Sequence, residues 1–169
     1  MANNERKFIP ELRIENAHIL FRNFSGAPTQ FNPKGGKRTF CVILDPNDAT
    51  LMAEDGWNIK YLQPRPDDGY EEATPYMSVN VAFGDYPPQV NYISGNTMTQ
   101  LDESTIDILD QADLETVDLV IRPYSWNVQG NSGISAYLKA GYFTAKQDSF
   151  ADKYAKFMQH QVDNGNVPF

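Results

Sequence analysis

Cysteine occurs once and histidine twice in these 169 residues. A single thiol excludes an internal disulfide framework, and Cys41, His18 and His160 offer no pair at metal-ligand spacing. Cys41 lies in the apolar run from Arg38 to Leu44 and reads as a small core residue rather than a nucleophile. No apolar run nears the roughly 18 residues of a membrane span. Met1-Ala-Asn-Asn-Glu-Arg-Lys also lacks the apolar stretch of a secretory signal. A reducing, cytoplasmic setting is therefore expected, with no membrane partner. Enzyme signatures are missing as well. Asn32-Pro-Lys-Gly-Gly-Lys-Arg lacks the Gly-Lys-Ser/Thr ending of a phosphate loop, and there is no Gly-x-Ser-x-Gly elbow. Asp107 and Asp110 are spaced as on a solvated helix face. No catalytic residue, metal or cofactor is expected.

Cations are scarce: 14 Lys and Arg stand against 22 Asp and Glu, for a net charge of −8. That sum argues against a polyanionic partner, but its distribution does not. Residues 1–65 carry nine cations against seven acids, and residues 66–169 five against fifteen. The acids cluster in Asp67-Asp68 with Glu71-Glu72, between Asp102 and Asp118, and near the C-terminus. These segments read as a loop, a helix and a tail, which leaves the strands free to present a basic groove.

The 41% hydrophobic content suits one domain with a real core. Alternating apolar residues predict strands over 12–21, 38–44, 77–83, 117–121 and 134–144, with shorter ones over 58–62 and 89–93. Leu12 and Ile14 share one parity, and Ala17, Ile19 and Phe21 the other, a phase change that predicts a bulge near Glu15-Asn16. On this parity Phe21 points inward and Arg22 outward. Gln129-Gly-Asn-Ser-Gly133 predicts a hairpin turn. Helices are predicted from Asp102 to about Ala112 and over 147–161, with a small helical turn near Asp48 to Glu54. Three strands, a helix and a closing hairpin are the connectivity of an OB-fold, a mainly β five-stranded Greek-key barrel, here with extra short strands. An antiparallel sandwich is the competing architecture. The expected organisation is a flexible segment 1–10, an OB domain 11–146, a C-terminal helix 147–161 and a tail 162–169.

Binding signals are stronger than catalytic ones. Arg22, Phe24, Lys34, Lys37, Arg38 and Phe40 interleave cations with aromatics, as an unpaired nucleic-acid strand requires. Phosphates need Lys or Arg, and exposed bases gain about 1–3 kcal/mol each by stacking on a ring. Phe40 has a second reading as core. A further cluster, Arg122, Tyr124 and Trp126, is answered across the turn by Tyr137 and Lys139. Parity places Ile134, Ala136, Leu138 and Ala140 on one face of the final strand. Tyr137, Lys139 and Phe143 fall on the other.

The chain closes on Val167-Pro168-Phe169 behind Asp163 and Asn-Gly-Asn. A terminal aromatic with a free carboxylate and a nearby acid is a compact docking peptide, pre-extended by proline. It resembles the acidic tip, ending in Ile-Pro-Phe, by which bacterial single-stranded-DNA-binding proteins recruit replication and repair partners. The chain as a whole resembles phage-type OB-fold single-stranded-DNA-binding proteins through Ile14-Glu-Asn-Ala-His-Ile-Leu-Phe-Arg-Asn-Phe24 and Asp55-Gly-Trp-Asn58. Asp118-Leu-Val-Ile-Arg-Pro-Tyr-Ser-Trp126 and Gly133-Ile-Ser-Ala-Tyr-Leu-Lys-Ala-Gly-Tyr142 extend the likeness. The resemblance implies coating of single-stranded DNA in replication, recombination or repair, without catalysis. It also implies partner recruitment through the tail residues Asp163, Val167, Pro168 and Phe169. Stacking and phosphate contacts serve single-stranded RNA equally, and self-association stays open. A virion structural β protein and a metal-dependent ssDNA nuclease are the rival classes.

Overall fold

A computed structural model describes residues 9–64 and 72–147. The chain runs through β1 (Leu12–Ile14), β2 (Ile19–Asn23), β3 (Arg38–Ile43), α1 (Pro46–Asp55), β4 (Ile59–Leu62) and β5 (Thr74–Val81). There follow β6 (Gln89–Ser94), β7 (Thr97–Leu101), a short 3-10 helix (Ile106–Asp110), β8 (Leu114–Val128) and β9 (Asn131–Ala145). The strands form one sheet in the order β1-β8-β9-β5-β3-β2, with β4 added to β5 and the β6–β7 hairpin added to β9. β5 meets β9 in parallel, Val79 opposite Ala136 and Asn80 opposite Tyr137. The architecture is mainly β with an OB-like order.

The predicted first strand divides at its phase change. Asn16 adopts φ 52° and its N–H donates to Asp118 Oδ1 at 2.8 Å. The chain thus leaves β8, where β1 is paired, and crosses to β3, where β2 is paired. One bent segment therefore supplies both ends of the strand order.

Side-chain direction departs from simple alternation at two bulges. Between Leu20 and Asn23, β2 spends three steps against two on β3, and Phe21 takes φ 50°. The extra residue reverses the phase. Phe21, expected inside, is 63% exposed, and Arg22, expected outside, is half-buried. On β9, Ala140 faces Val120 but Leu138 faces Ile121, so Lys139 is the extra residue. Beyond it Gly141 and Phe143 are buried while Ala140 is not, which reverses the outward placement expected for Phe143.

The core is built from the inward residues of β3, β5, β8 and β9. Phe24 stacks on Phe40 at 5.1 Å and meets Phe143 edge-on at 5.7 Å. All three rings are fully buried. Gly141 makes room for this cluster, since a Cβ there would lie 2.5 Å from Phe143 Cε2. Trp57 closes one end, buried at 4%, and bridges to Ile134.

The helices differ from expectation. Residues 46–55 form a full α-helix rather than a turn. Asp45 caps it, accepting from the N–H groups of Asn47 and Asp48, and Pro46 opens it. Gly56 ends it at φ 107°. The Asp102 region instead makes a tight turn followed by the 3-10 helix. Asp102 Oδ1 accepts from Ser104 Oγ at 2.6 Å and from the N–H groups of Ser104 and Thr105. The helix expected over 147–161 and the tail lie outside the described residues, apart from Gln147. Among the described residues no helix is long and apolar enough to cross a membrane.

Candidate nucleic-acid interface

The β8–β9 ladder sets the candidate surface. Ile121 and Leu138 face each other in the core, so their neighbours on both strands point away from it. Three cross-strand pairs occupy that outer face: Arg122 with Tyr137, Tyr124 with Ser135, and Trp126 with Gly133. Gly133 gives the indole a flat seat, because a Cβ there would lie 2.6 Å from Trp126 Cζ2. Tyr124, 57% exposed, meets Tyr137 edge-on at 5.8 Å. The Arg122 guanidinium lies 6.0 Å from the Tyr137 ring centre and 5.9 Å from that of Tyr86. Tyr86 belongs to the loop joining β5 to β6 and is 76% exposed. Cation and rings thus hold one another in place with open faces remaining.

The surface continues onto β5 and β3. Asn80 sits opposite Tyr137, and its Nδ2 donates to Ala136 O at 3.1 Å, which turns Oδ1 away from that carbonyl. Thr39 lies beside Asn80 on β3. The loop joining β2 to β3 is tightly folded, with Gly36 N–H donating to Gly26 O at 2.7 Å and Asn32 Nδ2 to Gly35 O. Gly35 has φ 71° and no space for a side chain, since a Cβ would lie 2.9 Å from Gly26 O. Lys34, Lys37 and the ring of Phe31 project from this loop into solvent. A shallow depression joins the loop to the ladder, lined by Gly35, Gly36, Lys37, Arg38, Asn80, Phe83, Glu103 and Tyr137. Arg38 lies 5.7 Å over the Phe83 ring and pairs with Glu103 at 3.4 Å.

Of the residues singled out in sequence, Lys37, Arg38, Arg122, Tyr124, Trp126 and Tyr137 fall on this surface or its rim, and Lys34 projects from the loop beside it. Lys139, pushed out by its bulge, pairs with Glu11 at 2.6 Å beside Tyr86 and Arg122. Three do not belong. Phe24 and Phe40 are sealed in the core, with no ring face left for a base. Arg22 is spent on structure: its Nη1 donates to the carbonyls of Leu109 and Ala112, holding the 3-10 helix to β2. Asp110 completes that staple by accepting from the N–H groups of Phe24 and Ser25. The tail residues Asp163, Val167, Pro168 and Phe169 lie outside the described residues.

Sequence reasoning missed Tyr86, Phe83 and Asn80, which reach the surface through β5 and the loop after it. It also missed the pair Phe21 and Tyr76, edge-on at 6.1 Å. For Tyr76 and Asn80 the signal was their outward parity, with Ser78, between buried Met77, Val79 and Val81; Phe83 shares the parity of the buried residues, and Tyr86 lies beyond the strand. Cys41 is buried. Burial pushes its thiol up, partly offset by Lys60 and by a hydrogen bond with Ser78. Among the described residues no group of three or more His, Cys, Asp or Glu is placed to hold a metal ion.

Known proteins supply an independent comparison. Among solved structures, the single-stranded DNA-binding protein from bacteriophage Enc34 in complex with ssDNA aligns with a TM-score of 0.53 at 15% identity. That alignment covers 83% of this chain and 89% of the phage protein. Its C-terminal truncation aligns with a TM-score of 0.51 at 15% identity, covering 82% and 87%. At this identity the likeness establishes a shared fold. Among curated protein sequences no significant match is found. The model of the family described as a putative phage ssDNA-binding domain matches residues 1–167, and the chain belongs to that family.

Proposed function

We propose that this protein binds single-stranded DNA with little regard to sequence, the strand crossing the outer face of β5, β9 and β8 beside the β2–β3 loop. Lys37, Arg38, Arg122 and Lys139 would meet phosphates, with Lys34 contributing from the loop. Tyr86, Tyr124, Trp126 and Tyr137 would carry bases, and Tyr137 sits where the two groups meet. The observation that carries the reading is the run of contacts Tyr86–Arg122–Tyr137–Tyr124, at 5.9, 6.0 and 5.8 Å in turn, along one outer face. In OB-folds the strand 2–3 face and the loops 1–2 and 4–5 take oligonucleotides. Here those places correspond to β3 and β5, the 24–37 loop, and the Gln129-Gly130 turn.

The finer fold reading is a five-stranded, partly open Greek-key barrel, with β1 and β2 acting as one bent strand that closes it. The biological reading is coating of phage replication, recombination or repair intermediates in the host cytoplasm, without catalysis. The tail, through Asp163 and Val167-Pro168-Phe169, would recruit a replication or recombination protein. Single-stranded RNA is a substrate that the same chemistry admits, and self-association along a coated strand is compatible with it.

A gel shift with oligo-dT against duplex of equal length is the test. Retarded oligo-dT at protein concentrations that leave duplex unshifted supports the reading. Equal affinity for both, or for neither, overturns it.

A further inference from the structure

Two cations of the interface are already occupied by acids from distant parts of the chain. Arg38 Nη1 contacts Glu103 Oε1 at 3.4 Å, and Lys139 Nζ contacts Glu11 Oε1 at 2.6 Å. Arg122 is held differently, between the rings of Tyr86 and Tyr137. The Arg38 contact is loose. One nitrogen meets one oxygen at the long end of the ion-pair range, Glu103 is 62% exposed against 20% for Arg38, and Arg38 Nε is buried without a hydrogen bond. A guanidinium satisfied at one corner of its planar fork is not in the bidentate geometry that carboxylates and phosphates favour. The pair lines the depression that also holds Gly36, Lys37 and Tyr137, where bare glycine backbone lets an anion approach.

Resting on the ssDNA-binding reading above, we propose that Glu103 is a built-in competitor for the phosphate seat at Arg38. A strand phosphate displaces the carboxylate. Glu103 positions and weakens rather than binds. While it is present, the carboxylate offsets the charge that Arg38 offers a phosphate. Strand binding then frees a carboxylate beside DNA instead of only releasing the counterions of a neutralised phosphate. Two consequences follow. Removing the carboxylate raises affinity by the strength of an exposed ion pair, about two- to fivefold. It also adds one effective cation, steepening the plot of log affinity against log salt by about 0.7 for a single strand.

The test is a salt series of oligo-dT titrations, followed by anisotropy, on the full-length protein and Glu103→Gln. Glu54→Gln, an exposed acid on α1, controls for the change of net charge, and Arg38→Ala/Glu103→Gln tests the route. The expected result is tighter binding and a steeper slope for Glu103→Gln, a much smaller change for Glu54→Gln, and loss of the Glu103 effect once Arg38 is gone. Wild-type binding with Glu103→Gln indistinguishable from Glu54→Gln overturns the competitor and leaves ssDNA binding intact. So does a Glu103 effect that persists without Arg38. Absence of wild-type binding to oligo-dT overturns both.

Discussion

Replacing Tyr137 by alanine separates stacking from charge at the centre of the proposed interface. Its ring is in contact with Tyr124 at 5.8 Å and with Arg122 at 6.0 Å, and it shares a depression with Arg38. One base stacked on an aromatic contributes about 1–3 kcal/mol. Since Arg122 and Tyr124 already claim part of the ring, the lower half of that range applies. A loss of about 1–2 kcal/mol is a fall in oligo-dT affinity of roughly 5–30-fold. No phosphate contact disappears, so the salt slope should stay within error of wild type. Tyr137→Phe keeps the ring and should bind within about twofold of wild type. Fold stability suffers less directly: an aromatic pair and an exposed cation–π contact are worth about 0.5–1.5 and 0.5–1 kcal/mol. Titrations therefore belong well below the melting transition. Tyr137→Ala at wild-type affinity, or Tyr137→Phe as damaging as Tyr137→Ala, would refute the stacking assignment.

The remaining predictions concern the fold and the loops. Phe24→Ala should destabilise by about 3–5 kcal/mol in urea unfolding, as for a buried ring. A change under 1 kcal/mol with weakened DNA binding would instead place Phe24 on the surface. Gly141→Ala drives a Cβ toward the sealed Phe143 ring and should cost about 1–3 kcal/mol by overpacking; an unchanged urea midpoint would contradict this packing. Asp102 accepts first from the Ser104 hydroxyl, then from Thr105, and these bonds hold its carboxyl below the ordinary range. Its stabilisation is thus complete above the unfolded-state value and lost as pH falls through the lower folded one. Asp102→Ala should flatten that acid limb of the urea-midpoint profile, and an identical acid limb would count against the turn.

Most strands were legible because buried and exposed residues alternate along them, as over Thr74–Val81. The failures cluster where one residue is inserted. Parity read through Phe21 or Lys139 inverts everything beyond, so Arg22 and Phe143 were both placed on the wrong side. Phe24 failed for a related reason: cations beside a ring in sequence say nothing about its burial once the strand has bulged. The α-helix at 46–55 was underread because it buries only Ala49 and Met52, too little for a periodic signal, although Asp45-Pro46 and Gly56 mark both ends. The Asp102 segment was overread as a helix because a carboxylate capping a three-residue turn has the same local chemistry as a helix cap. On the candidate face, the grouping of Arg122, Tyr124, Trp126 and Tyr137 was legible because the turn signal at Gln129–Gly133 folds their two strands back on each other. Tyr86 was not, because a loop ring meets its partner only through tertiary structure.

Ultraviolet crosslinking of the full-length protein to oligo-dT, with the modified residues mapped by mass spectrometry, locates the strand most directly. Adducts on Tyr86, Tyr124, Trp126 or Tyr137 are expected, and they should diminish as salt rises. Adducts concentrated instead around His18 and Leu51, in the groove between α1 and the β1–β2 bend, would contradict placement of the strand on the β5–β9–β8 face.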